Sequence, residues 1–170
     1  CSNRDCAYVD EKFIWPERNI GRLYKRPVSR CSCGSQVLEV LYCYDCGEIY
    51  LGGYVVHPEE DVDGYFLDSV PVGSNDSYVS TVFERRHGEY VWIWPRVAPG
   101  LEEWGHKNPV TKKTVQFRFQ KATFRPSLGY VEADGSDEAN AMILASTIED
   151  GFPALPEKCP HCSSDRYQGK

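Results

Sequence analysis

Eight cysteines stand in four close pairs: Cys1/Cys6, Cys31/Cys33, Cys43/Cys46 and Cys159/Cys162. Disulfide frameworks usually spread their cysteines along a chain. A two-residue spacing suits a metal knuckle, in which one tight turn aims two thiolates at one ion. Tetrahedral structural zinc takes four ligands, so four pairs supply two sites. The spacing admits, in descending order, two structural zinc ions, one zinc with spare thiols, or disulfides. Cys43-Tyr-Asp-Cys46-Gly47 is a strong knuckle, because glycine after the second cysteine permits positive φ and turns backbone N–H groups toward the sulfurs. Cys159-Pro-His-Cys162 is similar, with Ser163 in place of the glycine. Cys1-x4-Cys6 and Cys31-x-Cys33-Gly34 are looser, and one of those thiols could be a spare. With pairs kept intact, three partitions into quartets exist. Knuckle similarity and local closure favour Cys1, Cys6, Cys31 and Cys33 in one site, and Cys43, Cys46, Cys159 and Cys162 in the other. The second quartet makes a zinc ribbon interrupted by residues 47–158.

The elements that must position these knuckles read as mainly β. Residues 36–56 give strand, knuckle, strand, with Gly52-Gly53 suggesting a bulge or bend. Residues 1–30 carry Pro and Gly breaks and no helical period, which predicts loop and short strands. The insertion offers FLDSV, YVSTVFE, EYVWIWPRV and LGYVEA as strands, and residues 96–110 as a loop. In TKKTVQFRFQKATF the residues Val115, Phe117 and Phe119 share one face, and Gln116, Arg118 and Gln120 the other. Residues 137–148 read as a short helix. The expected fold is mainly β with one short helix, its zinc-ribbon knuckles flanking an inserted antiparallel sheet. Residues 1–56 plus 151–170 form the zinc-binding ribbon region, and residues 57–150 an inserted β-rich subdomain.

Charge and composition narrow the function. The chain has 170 residues with 41% hydrophobic and 13% aromatic content, which is too rich for disorder. No run of 18 apolar residues occurs, so no membrane partner is expected. The formal charge is −6, and eight thiolates with two Zn²⁺ would make it roughly −10. Nucleic-acid binding would therefore need a local basic stripe. Two exist. Lys112, Lys113, Arg118, Lys121 and Arg125 interleave with Phe117, Phe119 and Phe124, a pattern that holds phosphates and stacks bases if the rings are exposed. Alternation favours the simpler reading, with rings in the core and cations on a solvated face. The second stripe is Arg18, Arg22, Lys25, Arg26 and Arg30, suited to nucleic acid or an acidic partner surface. Trp92 and Trp94 face one side of their strand, as core or as a docking patch.

Catalytic motifs are scarce. Neither a phosphate-binding glycine loop nor a nucleophile elbow nor H-E-x-x-H is present. His87-Gly-Glu89 matches the H-x-E of zinc deaminases, but Lys158 replaces the proline before Cys159, and Cys43/Cys46 is the better partner for Cys159/Cys162. His57, His106 and His161 are poorer ligands than the eight thiols. Closed four-sulfur sites leave no position for a reactive water, so the chain is not expected to be an enzyme by itself.

The run GRLYKRPVSRCSCGSQVLEVLYCYDCGEIYLGGYV (residues 21–55), with FPALPEKCPHC (residues 152–162), resembles the cysteine-rich region of certain large prokaryotic superfamily-2 DEAD/DEAH-box helicases of DNA-repair and phage-defence type. The resemblance implies a fragment of a longer ATP-dependent, ATP-binding helicase or translocase in the cytoplasm, with structural zinc. It also implies helicase motor domains of the same parent chain as partners, together with DNA or another protein subunit. No residue here matches the motor motifs. The alternative is a protein-interaction zinc module without a nucleic-acid role, which the negative charge and the acidic 57–63 stretch favour.

Overall fold

The structure is a computed structural model that describes residues 1–58, 63–73, 85–86, 88–98, 103–107, 112, 114–145 and 158–164. Among the described residues, eight antiparallel strands run in the order β1 (Glu39–Tyr42), β2 (Ile49–Val56), β3 (Gly64–Asp68), β4 (Tyr90–Ile93), β5 (Glu103–Lys107), β6 (Thr114–Arg125), β7 (Tyr130–Ala133) and β8 (Ala141–Ala145). Strands β1 and β2 are the expected ribbon hairpin, with Glu39 opposite Gly52 and Tyr42 opposite Ile49.

The strand pairings close a ring. β2 pairs β3, β3 pairs β7, β7 pairs β6, β6 pairs β8, and β4 returns to β2. The last gap, between β8 and β4, is bridged by Trp94 and Met142, whose backbones exchange two hydrogen bonds of 2.9 Å. β1 and β5 flank this barrel on the long strands β2 and β6. Closure removes edges that would otherwise present unpaired backbone groups. The ribbon hairpin and the strands of the insertion therefore belong to one continuous sheet.

Alternation along the strands sorts the core into two layers. Leu51, Leu67, Val91, Ile93, Ala122, Phe124, Val131, Ala141 and Ile143 fill the barrel interior, with Leu38 packed against them. The opposite faces of β2, β4, β6 and β8 carry Tyr50, Trp92, Trp94, Phe119, Met142 and Leu144, an outer layer that Cys159, Cys43 and Cys46 cover. Trp92 and Trp94 thus share a side, as alternation predicts, and that side is core. The pleat also explains β6. Phe119 is buried outside the barrel, Ala122 and Phe124 are buried inside it, and Gln116, Arg118 and Gln120 are exposed, the last two opposite Ala145 and Ile143 of β8.

Four sequence expectations are corrected. The helix expected over residues 137–148 is not formed over 137–145, and residues 146–148 lie outside the described residues. Residues 141–145 are strand β8, in which Ala141 to Leu144 are buried on both faces, and a doubly buried strand reads as a continuous apolar run that periodicity cannot tell from a helix. The one helical element among the described residues is a 3-10 turn at Glu11–Phe13, and residues 1–30 otherwise hold no strand beyond a bridge of Arg30 to Gln36. The loop expected over residues 96–110 contains β5 instead, paired to β6 from Glu103↔Arg118 to Lys107↔Thr114. Gly52 and Gly53 form no bulge, since they keep register with Trp92 and Val91; a Cβ on Gly52 would fall 1.9 Å from the Tyr90 hydroxyl, so the glycine makes room for that ring. YVSTVFE lies almost wholly outside the described residues.

Tyr90 uses that room to reach Glu39 at 2.7 Å, where Arg85 also donates through two nitrogens. Burial alone would raise the Glu39 pKa; the Arg85 and Tyr90 hydrogen bonds and the Arg85 charge outweigh it and hold the carboxyl below its ordinary value. The folded form is the stronger acid, so this stabilisation is complete above the unfolded pKa of about 4.3 and is lost as pH falls through the folded one. Glu39→Gln should cost about 1 kcal/mol at neutral pH. Denaturant titrations across pH should show the gap between wild type and variant closing on acidification; a pH-independent gap would rule out the ionised carboxylate as its source.

Candidate metal centres

The fold brings the eight cysteines into two tetrads, Cys1/Cys6/Cys31/Cys33 and Cys43/Cys46/Cys159/Cys162, each with its sulfurs within 4.8 Å of one another. These are the quartets that knuckle similarity favours. Within them Cys1 and Cys33 lie 3.7 Å apart, Cys6 and Cys31 3.6 Å, Cys43 and Cys162 3.7 Å, and Cys46 and Cys159 3.7 Å. A disulfide needs about 2.05 Å. Four sulfurs about 2.3 Å from a tetrahedrally held ion lie about 3.8 Å from one another, so the donor sets fit a metal. All eight cysteines are free, and each tetrad could bind one ion.

Three of the turns are variants of one device. In the Cys43 knuckle, Gly47 N–H donates to Cys43 O and Cys43 N–H to Glu48 O, both 2.9 Å, with Gly47 at φ +76°. The Cys159 knuckle repeats the pattern: Ser163 N–H donates to Cys159 O at 2.8 Å and Cys159 N–H to Ser164 O at 2.9 Å, with Ser163 at φ +60°. The tighter Cys31 turn is one residue shorter. Gly34, at φ +86°, donates to Cys31 O, and Cys31 N–H donates to Ser35 O. A left-handed residue after the second cysteine reverses the chain in each, which is why glycine is favoured there and serine carries some strain.

The fourth turn is held differently. Cys6 N–H donates to Asn3 O, and Gly21 N–H returns to Cys1 O at 2.9 Å. A Cβ on Gly21 would sit 2.3 Å from Asn3 O, 2.7 Å from Cys6 Cβ and 3.2 Å from Cys1 Sγ. Gly21 is a structural member of the first centre that no spacing rule reveals. Tyr24, whose hydroxyl donates to Cys31 Sγ at 3.1 Å, is another.

The electrostatics of the thiols bear on what each tetrad could hold. Burial pushes the Cys46, Cys6 and Cys159 thiols up. Burial also opposes ionisation of Cys43 and Cys33, yet hydrogen bonds from Ser164 and the Asp45 and Cys46 amides bring Cys43 down to about 6, and Ser35 brings Cys33 down to about 7. Ser164 likewise lowers Cys162. Some thiolates in each cluster are favoured and their neighbours suppressed, the pattern of close like charges that a divalent ion would relieve.

The second centre is anchored through Glu48, which directly follows its first knuckle. The buried Glu48 carboxylate accepts from Trp94 Nε1 at 2.9 Å and from Arg96 Nε at 3.1 Å, and its charge is matched by the Arg96 guanidinium, which also lies 4.9 Å over the Trp94 ring. Tyr50 adds its hydroxyl 3.5 Å from Cys159 Sγ. Sequence reasoning missed Glu48 and Arg96, because a carboxylate and a guanidinium 48 positions apart carry no local signal. His161 stands edge-on to Trp94 with Nδ1 3.8 Å from Glu48, outside the sulfur tetrad. His87 lies outside the described residues, and so does the His106 side chain. Cys159 and Cys162, which a deaminase would pair with His87, are committed to Cys43 and Cys46.

The candidate nucleic-acid residues have separate fates. Lys121 pairs with Asp137 at 3.2 Å and Arg125 with Glu132 at 2.8 Å, while Phe119 and Phe124 are buried, so this stripe has two of its cations paired and two of its rings in the core. Arg118 and Lys112 are exposed, and Lys113 and the Phe117 side chain lie outside the described residues. In the other stripe, Arg18 reaches Cys6 O and Arg30 reaches Gly34 O and Ser127 O, whereas Arg22, Lys25 and Arg26 are exposed.

Gly21→Ala should empty the first centre, lowering bound metal from two ions to one and costing at least about 2 kcal/mol; metal analysis after gel filtration checks this, and retention of both ions would show that the close approach is relieved cheaply. Ser163→Gly should stabilise the protein by about 0.5 kcal/mol, by relieving left-handed strain at some cost in unfolded-state entropy, with metal content unchanged. A lower melting temperature in that variant would contradict the strain argument.

No helix among the described residues is long and apolar enough to cross a membrane. No curated protein and no solved structure matches the chain. A family model matches residues 23–170, a span that holds the second tetrad with Cys31 and Cys33 of the first, and the chain belongs to the YjiV N-terminal domain family.

Proposed function

We propose that both tetrads hold structural zinc and that the chain is a non-catalytic accessory domain of an ATP-dependent DNA helicase or translocase, positioning DNA or neighbouring domains. The observation that carries the zinc reading is the pair of all-sulfur tetrads with tetrahedral spacing. Soft thiolate sets select zinc over magnesium or calcium, and four protein ligands leave no open coordination position for a reactive water. Zinc here supplies charge balance and cross-linking. The residues do the rest: Ser164, Ser35, Tyr24 and the knuckle amides hold the sulfurs ready. Eight closely set free thiols suit a reducing compartment, the cytoplasm.

The helicase association is supported by the resemblance of residues 21–55 and 152–162, and the partners it names are the motor domains of the same parent chain. The rival reading is a protein-interaction zinc module without a nucleic-acid role. The net charge of −6 and the ion pairs of Lys121 and Arg125 favour it.

Purified protein should carry about two zinc ions with sulfur-only shells near 2.3 Å by X-ray absorption. Cys43→Ser should lose one ion, and chelation should red-shift the Trp94 environment and unfold the ribbon. A nitrogen or oxygen ligand, or iron absorption in the visible, would sink the structural-zinc reading.

A further inference from the structure

The lobe wrapped around the first tetrad exposes what a folded domain normally hides. Tyr8 is 51% exposed, Phe13 53%, Ile14 55%, Trp15 52% and Leu23 67%. Its 3-10 turn buries no residue. Its core is small: Cys1, Cys6 and Cys31, with Val9, Tyr24, Cys33 and Val37 packed against them. Among its fixed points are Arg18 on Cys6 O, Gly21 on Cys1 O and Tyr24 on Cys31 Sγ, all at the first tetrad. From Arg18 to Leu38 the chain carries Arg18, Arg22, Lys25, Arg26 and Arg30 and not one acidic residue, within a protein of net charge −6. Arg22, Lys25 and Arg26 are exposed, and Arg22 lies 5.2 Å over the Tyr24 ring.

We propose that this lobe binds single-stranded nucleic acid, with Phe13 and Trp15 stacking on bases and Arg22, Lys25 and Arg26 holding phosphates. The inference rests on reading the first tetrad as a loaded metal centre, because that centre is what fixes the lobe. Lys12 lies 5.0 Å over the Phe13 ring, and exposed rings on a lobe that also presents exposed cations match unpaired bases on a charged backbone. An acidic peptide would use the cations and leave the rings idle. Residues 1–30 also hold no strand whose edge a peptide could extend. A duplex is the poorer ligand, since the lobe has neither the helix nor the two-stranded ribbon that enters a groove. The stripe on β6 is not part of the surface, because its rings Phe119 and Phe124 are in the core.

The test is fluorescence anisotropy with labelled oligothymidylate, oligouridylate and a hairpin duplex, on full-chain protein whose metal content is measured in every variant. Both single strands should bind at low salt and weaken as salt rises, and their ratio reports any sugar preference. Arg22→Ala/Lys25→Ala/Arg26→Ala should weaken binding at least about tenfold and reduce the salt slope by about 2. Phe13→Ala and Trp15→Ala should each weaken it about fivefold or more. Trp15→Phe keeps a ring and should retain affinity while losing the tryptophan quenching that binding causes in the wild type. Lys121→Ala/Arg125→Ala should bind as the wild type does. Absence of binding at low salt by protein carrying both metals, preference for the duplex, or indifference to the lobe variants would overturn the proposal. Iron in place of zinc with binding intact would sink the zinc reading and leave this one standing.

Discussion

Bringing four sulfurs together at two places is the constraint on which the rest of this molecule depends. Four sulfurs within 4.8 Å cannot all ionise without a cation between them, and twice over the chain spends turns, hydroxyls and amides on holding them there. The first tetrad closes locally, over residues 1–33. The second ties the tip of the ribbon hairpin to a knuckle more than a hundred residues away, with Cys43 and Cys162 separated by 119 positions. A metal at that place cross-links the protein across its whole inserted sheet. Its stabilisation is coupled to folding of the barrel, since neither half-site is complete alone.

The barrel returns the support. The outer aromatic layer of Tyr50, Trp92, Trp94 and Phe119 forms the floor on which the second centre sits, and Glu48 locks the knuckle to that floor through Trp94 and Arg96. At the first centre, contacts from Gln36 N–H to Pro126 O and from Arg30 to Ser127 O fasten the tetrad to the β6–β7 turn. The two centres also differ in burial. Cys1, Cys6 and Cys31 are buried, whereas Cys162 is exposed and Cys43 and Cys46 are half-buried. The same all-sulfur chemistry is thus placed once inside a loop-rich lobe and once on the outer wall of a barrel.

Much of this was legible residue by residue. The knuckles, the strand–knuckle–strand hairpin and the shared face of Trp92 and Trp94 follow from spacing and period alone, because each is a local rule of backbone geometry. The short helix expected over 137–148 shows where such rules stop: Ala141 to Leu144 are apolar at every position because both faces of β8 are covered, and coverage is a property of the neighbours. Gly21 and Glu48 were silent for the same reason, their partners being distant in sequence.

By itself, then, the sequence determined the number and type of the sulfur donors, the hairpin that presents two of them, and a cation run free of acids beside the first centre. Tertiary structure decided which cysteines share a centre, that the strands close into a ring through Trp94 and Met142, and that Phe119 and Phe124 of β6 go to the core while Phe13 and Trp15 stay exposed. Local geometry is written in adjacent residues. Closure, burial and ion pairing depend on which distant residues the folded chain brings within a few ångströms of one another.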